Sequence, residues 1–118
     1  MFKRSLLAIA TLVISTVPAF AHAVPKAMTP APNSTVSAPT EISMTFSEDL
    51  DAKFSVIKLV DAKGTTVSTE AAALDPKNTK HLILALPKGL PAGLYTINWT
   101  SCAIDGHKLS RSYTFTIK

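Results

Sequence analysis

The side chains in this sequence with the chemistry to hold a ligand are few: three histidines, one cysteine and eight carboxylates in 118 residues. Two of the histidines stand in informative places. His22 follows Ala19-Phe20-Ala21, a small-x-small cleavage site closing a segment that has Lys3 and Arg4 at its positive end and a mostly apolar stretch over 6–17. That is the make-up of an export signal. Cutting after Ala21 makes His22 the new amino terminus, and a terminal histidine offers two nitrogens from one residue, the α-amine and the imidazole. Their reference pKa values, about 7.7–8.0 and about 6.5, let both lose a proton near neutral pH at little cost. Metal binding would complete that deprotonation.

The second arrangement is Asp105-Gly106-His107. Positions i and i+2 of an extended strand share a face, and the intervening glycine permits a tight turn that aims carboxylate and imidazole at one point. Taken alone, the tripeptide fits equally a surface turn whose aspartate bonds backbone amides. Taken together, His22, Asp105 and His107 supply three nitrogens and one oxygen, a set that suits tetragonal Cu(II) and tolerates zinc. His81, ahead of Leu82-Ile83-Leu84, has no ligand partner nearby in sequence and reads as a surface or strand-edge residue. Cys102 reads as a small buried apolar residue, although its place three residues before Asp105 keeps a thiolate contact to the metal as a second reading. No Gly-rich phosphate loop or strained serine elbow is present.

The elements that must position these residues are strands. Short alternating or β-branched runs are punctuated by Pro, Gly, Asn and Asp, with no apolar stripe of helical period. Strands are expected over 24–28, 40–47, 54–60, 81–86, 94–101 and 112–118, and the Asp61-Ala62-Lys63-Gly64 turn suggests a hairpin from 54–60 into a further strand over 65–69. Residues 70–79 are divided between a helical turn through three alanines and a loop at Asp75-Pro76-Lys77-Asn78. Six or seven strands with turns at roughly 8–12-residue spacing indicate an all-β Greek-key sandwich or small barrel. The core draws on Ile42, Met44, Phe46, Ile57, Leu59, Leu82, Leu84, Tyr95, Ile97, Trp99, Tyr113, Phe115 and Ile117.

Length and charge bound the rest. The expected organisation is a removed signal at 1–21 and one domain over 22–118, about 97 residues. With a single cysteine the domain closes no internal disulfide and must be held by its core. The formal charge of +4 includes Lys3 and Arg4, so the mature chain has ten basic against eight acidic residues, or +2. Those charges are interspersed as on a solvated surface, and nucleic-acid binding gets no support. The apolar stretch of the signal is shorter than the roughly 20 residues of a spanning helix, which points to a soluble, exported protein.

In order and context, these features resemble one family. From His22 through Lys118 the chain resembles copper resistance proteins of the CopC type, the group that includes YobA. The resemblance rests on the terminal His22, Thr29-Pro30-Ala31 with Asn33-Ser34-Thr35-Val36, Thr45-Phe46-Ser47-Glu48-Asp49-Leu50, Ala92-Gly93-Leu94-Tyr95-Thr96-Ile97-Asn98-Trp99, and Asp105-Gly106-His107 before Tyr113-Thr114-Phe115. It implies a periplasmic, immunoglobulin-like or cupredoxin-like β-sandwich. It further implies a monomer that binds one Cu(II) through the amine and imidazole of His22, the imidazole of His107 and the carboxylate of Asp105. Glu48 falls where family members carry a glutamate, as an axial or outer-sphere group; otherwise it is an exposed acid at a strand end. An inner-membrane partner of the CopD type is implied as well.

Two departures narrow the expectation. The methionine-rich loop that holds Cu(I) in some relatives is missing, since the mature chain keeps only Met28 and Met44, and soft thioethers are what select Cu(I). Many relatives also carry a histidine two residues after the terminal one, where this chain has Val24. Two rival readings remain at this level. One is a copper monooxygenase with a histidine brace, which needs a flat aromatic substrate face that a chain this small has little surface to build. The other is a metal-free exported structural module.

Overall fold

The computed structural model describes residues 11–14 and 22–118. The expected export signal over 1–21 lies outside the described residues apart from 11–14, which carry no regular secondary structure. Eight strands follow: β1 (Pro25–Thr29), β2 (Thr35–Val36), β3 (Glu41–Phe46), β4 (Val56–Val60), β5 (Ala73–Asp75), β6 (Asn78–Ala85), β7 (Gly93–Cys102) and β8 (Lys108–Ile117). They form two four-stranded sheets, ordered β1-β3-β6-β5 and β2-β8-β7-β4, and no strand is shared between them. The all-β expectation holds as an open sandwich rather than a closed barrel. Every pairing is antiparallel except the short β2, which runs parallel to the end of β8.

Alternation builds the interior. Ile42, Met44 and Phe46 of β3, Leu82 and Leu84 of β6, and Tyr95, Ile97 and Trp99 of β7 all point inward and are buried. Their intervening neighbours point outward, as a period of two requires. Burying one such side chain is worth about 1.5–3 kcal/mol, which is how a small domain with only one cysteine is held. Trp99 lies edge-on to Phe46 with ring centroids 5.5 Å apart, and Phe115 stacks on Tyr95 at 5.8 Å. Tyr113, expected in the core, is only partly buried and donates its hydroxyl to the Pro30 carbonyl at 2.9 Å.

Three expectations need correction. Residues 65–69 form no strand: Asp61 Oδ1 accepts from the amides of Lys63 and Thr65, and contact with β4 is reduced to the Val60–Thr66 bridge and the Val67 amide on Leu59. Residues 73–75 are strand rather than helical turn, and β6 begins at Asn78, three residues before His81. A turn in which Asp75 Oδ1 accepts from the Lys77 amide joins the two. Most consequential for the site, β8 begins at Lys108 rather than at 112, so β7 and β8 pair continuously from Gly93–Ile117 to Cys102–Lys108.

Candidate metal centre

The long β7–β8 hairpin ends in a five-residue turn over 103–107. The Ala103 amide donates to the His107 carbonyl at 3.0 Å, and the Gly106 amide donates back to the Ala103 carbonyl at 2.9 Å. Gly106 sits at φ +91°, where an L side chain is strained. This geometry swings Asp105 back under His107. Asp105 Oδ1 accepts the His107 amide at 3.0 Å and lies 3.0 Å from His107 Nδ1. The amide bond first, and then the imidazole, hold the Asp105 carboxyl below the ordinary carboxylate range, with a smaller contribution from His22. The surface-turn reading of Asp105 holds, and the oxygen that closes the turn also lies against the His107 imidazole.

The other half of the site comes from the start of the domain. The Ala23 side chain is fully buried, and its carbonyl accepts the hydroxyl of Ser101, itself fully buried on β7, at 2.7 Å. The Val24 amide donates to Ser47 Oγ at 3.0 Å, and the Val24 carbonyl accepts the Ser47 amide at 2.8 Å. Ser47 Oγ also donates to the His22 carbonyl at 3.4 Å. The exposed His22 is thus the first residue ahead of a pinned backbone, and its ring lies edge-on to that of His107, with centroids 5.5 Å apart and planes at 86°.

The candidate ligands are brought together in pairs. His22 faces His107, and Asp105 contacts His107. Glu48, half-buried rather than fully exposed at the end of β3, lines one shallow depression with Asp49, Ala103, Ile104 and Asp105. Two imidazoles on one ion, with metal–nitrogen bonds of about 2.0–2.1 Å, put their ring centroids roughly 4.5–6.5 Å apart; the observed spacing falls in that range. Among the described residues no group of three or more His, Cys, Asp or Glu side chains is assembled as a complete metal set.

The remaining candidates are accounted for. His81 does have a partner, because the β5–β6 hairpin brings Asp75 Oδ2 to 3.5 Å from its Nδ1. Cys102 is buried: its amide bonds Ser55 Oγ at 3.1 Å, and its carbonyl accepts the Asp51 amide at 2.8 Å. Strand alternation turns it away from the face of Trp99, and the 50–55 loop covers it there. The positioning serines, Ser47 and Ser101, escaped the sequence reading. Ser101 left a trace, as the one polar residue in the inward series Tyr95, Ile97, Trp99, Ser101.

Comparison with known proteins bears on the family and the fold. The family model described as the CopC domain matches residues 25–118. The chain is 36% identical to protein YobA of Escherichia coli K12 over 116 residues, covering 98% of this chain and 94% of that protein. It is 35% identical to copper resistance protein C of Escherichia coli, over 85% of this chain and 84% of that one. A 31% match to the copper transport protein CutJ of Bacillus subtilis covers 83% of this chain but 18% of that much longer protein. Among solved structures, CopC of Methylosinus trichosporium OB3b superposes with a TM-score of 0.76 at 26% identity, covering 82% of this chain and 94% of that one. PcoC, described as a methionine-rich copper resistance protein of Escherichia coli, superposes with a TM-score of 0.74 at 34% identity, covering 83% and 100%.

Proposed function

The chain belongs to the CopC family, and from that premise we propose that it is an exported periplasmic copper carrier that binds one Cu(II) per chain without catalysing a reaction. The ligands are the amine and imidazole of His22, the imidazole of His107 and the carboxylate of Asp105. One observation carries the reading: the first residue of the domain and the tip of its last hairpin meet, with the His22 and His107 rings 5.5 Å apart and Asp105 against His107. Two side-chain nitrogens and one carboxylate leave the set a donor short. The amine released by cleavage after Ala21 supplies it.

Nitrogen and carboxylate donors without an available sulfur favour Cu(II) over Cu(I). Met44 is buried in the core, Cys102 is buried under its loop, and the partly buried Met28 of β1 packs against the core, so none of the three stands with the candidate ligands. Asp105 Oδ1 and His107 Nδ1 lie 3.0 Å apart, a spacing that suits two adjacent donors on one ion with metal bonds of about 2.0–2.2 Å. A non-catalytic role is supported by the surface: Trp99 is buried, and Phe54 is the only exposed aromatic among the described residues, so no flat aromatic face for a polymeric substrate is built. A transfer partner of the CopD type, set in the inner membrane, is supported by CutJ, in which a segment like this chain is part of a larger copper transport protein.

The test is a Cu(II) titration of the chain beginning at His22 beside one carrying an additional residue ahead of it, each followed by electron paramagnetic resonance. The expected result is one equivalent bound with a tetragonal, nitrogen-rich signal only when the His22 amine is free. Equal binding with the same signal in both chains would overturn the terminal-chelate assignment. Competition with zinc checks the metal, since copper stands higher in the divalent affinity order.

A further inference from the structure

The His22 terminus is held by more than its own side chain. Three consecutive residues are tied down by two serines from different sheets: Ser47, just past β3, and Ser101, near the end of β7. Ser47 engages the His22 carbonyl and both backbone groups of Val24, while Ser101 engages the Ala23 carbonyl. Between them the Ala23 methyl is fully buried.

A free chain terminus ordinarily frays, and a terminal chelate on a fraying end gives up conformational entropy each time it closes on a metal. Fixing a residue's backbone in one conformation has an entropic cost that the metal would otherwise have to meet. Here the ordering is done by the fold before any metal arrives. The Ser101 hydroxyl lies in the core, where an unbonded polar group is costly, and its partner is the carbonyl of the residue next to the chelate. Resting on the copper reading above, we infer that Ser47 and Ser101 form a clamp that pre-organises the amino-terminal chelate and sets its affinity for Cu(II) without touching the ion.

The clamp makes a prediction that ordinary structural hydrogen bonds do not. In the chain beginning at His22, Ser47→Ala and Ser101→Ala are each expected to weaken Cu(II) binding about tenfold. They should also broaden or alter the nitrogen hyperfine pattern in electron paramagnetic resonance, although every ligand atom is still present. Ser47→Thr, which keeps the hydroxyl, is expected to restore both. In the metal-free chain, the Val24 amide should exchange with solvent faster in Ser47→Ala than in the parent or in Ser47→Thr. If Ser101→Ala does not fold, the Ser47 pair and the Val24 amide decide alone. A lower melting temperature with parental affinity and an unchanged spectrum would overturn the clamp. Loss of the nitrogen-rich signal in the parent chain itself would instead overturn the terminal-chelate reading on which the clamp rests.

Discussion

At the scale of single residues, His107 is the pivot of the site, because it touches Asp105 through both its amide and its ring and faces His22. Replacing it with alanine removes one nitrogen and the group that orients Asp105. His107→Ala should weaken Cu(II) binding by about 100-fold or more, since losing even an outer partner of a metal ligand costs about 10–100-fold. The β7–β8 ladder does not depend on that ring, so circular dichroism should be unchanged. Tyr113 gives a residue-scale prediction independent of copper. Burial pushes its hydroxyl up to about 12 from the ordinary 10.0 of tyrosine. An acid whose pKa is raised by folding stabilises the native state fully below its unfolded value and loses that contribution as pH climbs toward the folded one. Stability should therefore fall between about pH 10 and 12, which chemical denaturation can follow, and phenolate absorbance should show the delayed ionisation. Tyr113→Phe forfeits the bond to Pro30, at a cost of about 1 kcal/mol.

At the scale of elements, the turn over 103–107 is what brings two common residue types together as a candidate site. A Cβ at Gly106 would meet no atom within 4 Å, yet its φ of +91° is unfavourable for any other residue. Gly106→Ala should thus cost about 1 kcal/mol through the backbone alone, read from the denaturation midpoint. It should also loosen copper by shifting Asp105 against His107. Legibility in the sequence divides along the same line. Ile42, Met44 and Phe46, or Tyr95, Ile97 and Trp99, announce their strands because one face is core and the other solvent. The first four of the ten residues of β8, Lys108-Leu109-Ser110-Arg111, carry no such contrast; they are strand because β7 pairs with them, and pairing partners are not written in local composition. The two-residue β2 was invisible for the same reason. Conversely, 65–69 looked like a strand through its threonines, but only Val67 packs against the core, too little to hold a full strand against β4. As candidates, Asp105 and His107 are legible from their spacing and His22 from the expected cleavage site. That His22 would face His107 is a matter of tertiary path, for which only the family resemblance gave a hint.

At the scale of the whole molecule, two sheets closed over Phe46, Trp99, Tyr95 and Phe115 form a scaffold whose stability rests on packing, since its one cysteine is unpaired. Phe46→Ala should cost about 3–5 kcal/mol, a large share of the roughly 5–15 kcal/mol typical of such a domain, and should be readily seen as a drop in melting temperature. Copper should act in the opposite direction. A ligand that binds only the native state adds about 2.7 kcal/mol at a hundredfold excess over its Kd, so Cu(II) is expected to raise the melting temperature of the chain starting at His22 and to leave the extended one nearly unmoved.

The two candidate donors come from opposite ends of the domain, His22 before the first strand and His107 at the turn into the last, and the closed sandwich brings them side by side. On the copper reading, a chain still crossing the membrane, or one cut short before β8, carries the same histidines but no joined pair of them. The full donor set is therefore expected to form late, once the sandwich has closed. On that reading the ion meets all of its donors only in copies whose last hairpin has joined the start of the domain.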